Sequence, residues 1–113
     1  MDGPSPSVTP IEGLRVSPTA ALFEGGELID GSIFITRYDR DQGPELHLHP
    51  YPEAFVVQAG TATFTVGEDE HTVPAGNVVV VGADTVHCFK NRTEVPLEVV
   101  SFHPSPRVEQ TDL

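Results

Sequence analysis

Short runs in which apolar and β-branched residues alternate with polar ones follow one another along the chain, cut apart by Gly, Pro, Asn and Asp. They are GSIFITRY (31–38), PELHLHPY (44–51), EAFVVQAG (53–60), TATFTVGE (61–68), EHTVPAG (70–76), NVVVVGAD (77–84), TVHCFKN (85–91) and PLEVVSFH (96–103). Val, Ile, Thr and Phe suit a pleated, half-buried surface, so each run predicts a strand. Only PTAALFEGG (18–26) has room for a short helical turn. Closely spaced strands without helices between them predict an all-β fold, an antiparallel sandwich or barrel. The ends read differently. Residues 1–10 hold three prolines and predict a mobile arm, and RVEQTDL (107–113) predicts a polar tail. Residues 11–106 remain as one domain, long enough to bury a core.

Charge narrows the range of partners. The net charge is −11, with Lys90 the single lysine beside five arginines. Nucleic acid and anionic membrane surfaces reward clustered Lys and Arg, so neither is an expected partner. Small molecules, cations and other protein surfaces are. Cys88 is the one cysteine and has no internal partner, and MDGPSPSVTP offers no cationic segment followed by an apolar run. No stretch approaches the roughly 18 apolar residues of a membrane span. The expectation is a soluble cytoplasmic protein.

The chemistry is concentrated in HLHPYPE (47–53), which holds two of the five histidines. On a strand, residues i and i+2 project to the same side about 6.5 Å apart. His47 and His49 therefore stand side by side while Leu48 faces away. Pro50 and Pro52 cannot donate to a ladder, so the chain bends there and restarts at Glu53, and the bend can return that carboxylate toward the imidazoles. His87 supplies a third imidazole from a later strand. Three imidazoles and a carboxylate without thiolate form a mixed N and O set suited to Fe, Mn, Ni, Co or Zn. Four such ligands leave two positions of an octahedral divalent metal open, as in a catalytic site.

These residues resemble the two motifs of the cupin family. The first motif runs Gly, five residues, His-x-His, three or four residues, Glu, six residues, Gly; His47, His49, Glu53 and Gly60 fit it, with Asp41 in place of the leading Gly. The second runs Gly, five residues, Pro-x-Gly, two residues, His, three residues, Asn; Gly76, His87 and Asn91 fit it, with Gly82 at the Pro position and Asp84 at the second Gly. The likeness spans about residues 30 to 103. It implies a jelly-roll β-barrel, the cupin double-stranded β-helix, of six to eight strands around a metal held by His47, His49, Glu53 and His87. It also implies a homodimer, an expectation that the apolar runs VVVV and EVVSF strengthen.

Period two nominates a pocket wall of Phe55 and Val57 beyond Glu53, Phe89 and Asn91 beyond His87, and Glu45 before His47. Phe and Val around a metal suit a small organic molecule. SIFITRY is apolar on both phases, so either Arg37 or Tyr38 can face inward. His71 in GEDEHT and Cys88, on the face opposite His87, read as bystanders, and so does His103 near a strand end in SFHPSPR, with a place beside the pocket as its lesser alternative. The leading expectation for function is a metal-dependent dioxygenase, an oxidoreductase in which Glu53 doubles as the catalytic proton acceptor. A binding module that senses or carries a small ligand, and a cupin isomerase or cyclase, are the alternatives, because fold alone does not decide chemistry.

Overall fold

The computed structural model describes residues 5–113. Residues 1–4 of the expected N-terminal arm lie outside the described residues, and 5–10 run without regular structure, exposed throughout. A 3₁₀ turn at Ile11–Leu14 leads into β1 (Arg15–Ser17), β2 (Ala20–Glu24) and β3 (Ser32–Tyr38). There follow β4 (His47–Leu48), β5 (Glu53–Ala59), β6 (Thr61–Val66), β7 (Asp69–Pro74) and β8 (Asn77–Val81). The chain ends with β9 (His87–Lys90), β10 (Leu97–His103) and β11 (Thr111–Asp112).

All eight expected runs contain strands, and the fold is an all-β jelly roll. One six-stranded antiparallel sheet has the order β1-β2-β3-β10-β5-β8, and a five-stranded sheet has the order β11-β4-β9-β6-β7. The stretch with room for a helical turn is instead β2, because Ala20 through Glu24 pair residue for residue with β3 and its small side chains at 20 and 21 are buried. Tertiary pairing overrode the helical preference of alanine there. The tail also takes part in the sheet: Thr111 and Asp112 pair with Leu48 and His47.

Between the sheets lies a core of Tyr38, Phe55, Val57, Ala62, Phe64, Val81, Phe89, Leu97 and Val99. Phe64 sits edge-on to Phe55 at 5.1 Å and tilted against Phe89 at 5.1 Å, favourable geometries for aromatic pairs. Gly60 turns β5 into β6 with φ +78°, and a Cβ there would stand 2.5 Å from the Pro96 carbonyl, so the turn requires glycine.

The outer face of the larger sheet is also apolar. Val78, Val56, Val100 and Ile35 stand opposite one another in a row across β8, β5, β10 and β3; Val80, Ala54, Phe102 and Ile33 form the next row. Val78 and Val80 are 65% and 68% exposed.

Candidate metal centre

Strand register gathers the histidines. His47 on β4 stands directly opposite His87 on β9, with ring centroids 4.4 Å apart. His49 follows two residues after His47, and β5 brings Glu53 in from the facing sheet. One donor atom from each of His47, His49, Glu53 and His87 lies within 4.8 Å of all the others. All four residues are buried.

The Nδ1 atom of each of these imidazoles faces a main-chain carbonyl: His47 that of Glu45 at 2.7 Å, His49 that of Glu109 at 2.7 Å, His87 that of Thr85 at 2.8 Å. A carbonyl only accepts, so in each ring Nδ1 carries the proton and Nε2 presents a lone pair. Glu53 Oε1 lies 3.1 Å from Nε2 of His49 and 3.2 Å from Nε2 of His87. With the three rings neutral, three lone-pair nitrogens and a carboxylate oxygen converge; His87 Nε2 stands at hydrogen-bond distance from Glu53 Oε1, which a second proton on that ring would satisfy, and among the described residues His49 Nε2 has no aligned hydrogen-bond partner. Such a set is completed by a cation. The fixed tautomers are the outer support that metal-binding imidazoles need.

A cavity of about 90 Å³ opens beside these groups. It has room for several waters or a small organic fragment. Besides His47, His49 and Glu53, its lining includes Phe34, Thr36, Tyr38, Phe55, Phe89, Ser101, His103 and Gln110. Phe55 and Phe89 are where alternation put them. Val57 is not on this wall: it faces inward on β5 but one rung deeper, inside the core. Asn91 is buried as a brace, its side-chain amide donating to the carbonyls of Tyr38 and Val95. Glu45 points to solvent and pairs with Lys90 at 3.0 Å. Tyr38 faces inward and Arg37 outward, because Thr36 and Tyr38 share the buried phase of β3. His71 is exposed and Cys88 half-buried on the side away from the centre.

His103 is an addition to the expected set. It is 1% exposed, and its Nε2 stands 3.0 Å from Glu53 Oε2. The signal was present in the alternation of β10, where Leu97, Val99, Ser101 and His103 occupy the buried phase. Gln110 joins the cavity wall from the returning tail, and Tyr51, between β4 and β5, reaches His103 and the main chain of Glu109.

Two of the motif departures have a common structural outcome. Asp41 and Asp84, both standing where the family pattern has Gly, adopt left-handed backbone with φ 65° and 56°. Aspartate is among the few non-glycine residues that tolerate this region. The main-chain N–H of Asp84 donates to the His49 carbonyl at 2.7 Å, so this turn braces the segment, β4 and the residue after it, that carries two of the imidazoles.

A jelly roll with a buried three-histidine, one-glutamate centre defines the class of the protein as a double-stranded β-helix with metal-binding character. The family described as Cupin domain matches residues 34–103, and the chain belongs to it. A mannose-1-phosphate guanylyltransferase from Salmonella muenchen is 32% identical over 69 residues, 61% of this chain, which spans only 14% of that relative's length. A conserved protein with a double-stranded β-helix domain from Klebsiella pneumoniae superposes with TM-score 0.77 at 18% identity, covering 95% of this chain and 96% of its own. The oxalate decarboxylase from Lactobacillus farciminis, in complex with formate, superposes with TM-score 0.82 at 21% identity over 99% of this chain and 37% of the larger enzyme. At these identities the structural likeness is one of fold.

Protons compete with a metal for this site. Burial works to raise the Glu53 carboxyl pKa, but the imidazoles of His103, His49 and His87 outweigh it and hold it well below the usual carboxylate range. Burial pushes His47 down and so favours its lone-pair form. Burial also opposes a proton on His49, yet Glu53 and the Glu109 carbonyl outweigh it and raise that pKa. The raised His49 value stabilises the metal-free fold below the ordinary histidine pKa of about 6.5, and this contribution fades as pH rises through the folded value. Metal stabilisation has the opposite trend, full at neutral pH and lost in acid. Chelator is therefore expected to lower the melting temperature at about pH 7.5 and to leave it unchanged at about pH 5. An equal drop at both would contradict imidazole ligation.

Proposed function

We propose that this cupin is a metal-dependent enzyme of oxygenase type acting on a small organic molecule. The observation that carries the proposal is the convergence of three tautomer-fixed Nε2 atoms and Glu53 Oε1 on the edge of a small apolar cavity. His47, His49, Glu53 and His87 would hold a divalent ion from the Fe, Mn, Ni, Co or Zn group. When bound, that ion supplies Lewis-acid and redox chemistry beside the cavity. Phe34, Phe55 and Phe89 exclude water and favour the apolar part of a substrate, while Tyr38, Ser101 and Thr36 bring neutral polar groups. None of the six Lys and Arg side chains lines the cavity, so an anionic substrate finds its positive charge only at the metal. Among the described residues Glu53 is the one carboxylate at the cavity and the group best placed to accept a proton.

The test is oxygen uptake by the Fe, Mn, Ni and Co forms with a panel of enediols, catechols, flavonols and β-diketones. Glu53→Gln is expected to retain much of the metal while turnover drops by roughly 10² to 10⁴, the usual effect of losing a general base. A compound that binds at the metal in every form yet is never transformed would replace this reading with a non-catalytic sensor or carrier.

We further propose that two copies associate through the outer face of the larger sheet. Its two apolar rows, running from Val78 and Val80 to Ile35 and Ile33, support this reading. Light scattering is expected to give twice the monomer mass at tens of micromolar, and Val80→Glu to shift it to the monomer. A wild-type monomer at that concentration refutes the dimer. The unpaired Cys88 suits the reducing cytoplasm.

A further inference from the structure

Four imidazoles surround Glu53, and one of them has a different kind of partner at Nδ1. The Nδ1 atom of His103 faces the Tyr51 hydroxyl at 2.8 Å, where the other three face carbonyls. The Tyr51 oxygen accepts the main-chain N–H of Glu109 at 3.1 Å, and the ring stacks on His49 at 5.2 Å with an interplanar angle of 7°. A hydroxyl that accepts from an N–H satisfies its own proton by donating it. His103 Nδ1 is the acceptor in reach. His103 is then protonated on Nε2, so it is unsuited to ligate a metal and suited to donate.

Among the described residues that N–H has one acceptor nearby, the Glu53 carboxylate, whose pKa it helps to hold down, and no aligned hydrogen bond. It approaches Glu53 Oε2 to 3.0 Å but without the alignment of a hydrogen bond. His103 lines the cavity while being almost wholly buried, and leaving such a donor unmade is costly.

We infer that His103 is a fixed hydrogen-bond donor for the ligand of the metal cavity, with Tyr51 as the positioning residue that sets its tautomer. The ligand class is a small molecule with two neighbouring oxygens, a carboxylate or a hydroxy-carbonyl compound, one oxygen facing the metal ligands and the other accepting from His103 Nε2. The inference rests on the metal reading above and adds the group that selects what binds beside the metal.

Acetate is the simplest probe, because it carries two such oxygens. It would be titrated into cobalt(II)-loaded protein and followed by visible absorption, with metal content measured in every sample. His103→Leu is expected to keep one ion per chain and to bind acetate roughly tenfold to a hundredfold more weakly, the range for one hydrogen bond to a charged acceptor. His103→Gln retains an N–H donor and is expected to recover most of the affinity. Tyr51→Phe leaves the imidazole in place but frees its tautomer, and is expected to weaken acetate in the same direction with metal intact. Unchanged acetate affinity in metal-loaded His103→Leu overturns the inference; should that variant fail to fold, unchanged affinity in Tyr51→Phe does so. Loss of the ion itself from both His103 variants also overturns it, since His103 would then serve the metal rather than the ligand. A wild-type protein that takes up no cobalt removes the metal reading and this inference with it.

Discussion

His49→Ala is expected to yield a folded jelly roll that no longer retains a divalent ion. Loss of outer support around a metal ligand alone costs 10- to 100-fold in affinity, so deletion of a nitrogen ligand is expected to exceed that. His47→Ala and His87→Ala should behave alike, because the three Nε2 atoms are equivalent members of one converging set. His71→Ala is the matched control: this exposed histidine on β7 is not one of the converging groups and should leave metal content unchanged. Elemental analysis after gel filtration reads the result. Retention of a full ion by any of the three would remove that residue from the ligand set.

The largest expected effect on stability is at Phe64, which is fully buried between Phe55 and Phe89. Phe64→Ala removes a ring from the contact between the two sheets and leaves a cavity that the flanking β-strands cannot close. The expected loss is about 3–5 kcal/mol, enough to lower the denaturation midpoint in guanidinium markedly. Thr63→Ala, on the opposite face of the same strand, should cost less than about 1 kcal/mol. Comparable losses at 63 and 64 would contradict the assignment of faces on β6.

Local pattern carried most of this site. Alternation alone put His47 beside His49, turned Leu48 away and placed Phe55 and Phe89 inward, because the period of a strand is fixed by its pleat. It could not say how deep along the barrel a residue lies, and for that reason Val57 was nominated for the wall although it belongs to the core. Nor could it choose between Arg37 and Tyr38, since both phases of β3 are apolar and the choice is made by pairing with β2 and β10. Asn91 carries the motif yet serves as a brace. His103 was readable from the phase it shares with Leu97 and Val99. Tyr51 and Glu109 were not, because their roles exist only once the tail crosses back over β4.

That crossing also orders events during synthesis. The carbonyl that fixes the tautomer of His49 belongs to Glu109, 60 residues further along the chain, and the imidazole facing Glu53 from β9 lies 34 residues beyond that carboxylate. At about 5–20 residues per second, a ribosome exposes His47 and His49 several seconds before their partners. During that interval the nascent chain offers a cation two unconstrained imidazoles and no enclosing wall. On the proposed metal reading, selection of an ion therefore belongs to the finished barrel, after residue 109 has emerged and the β11 strand has docked.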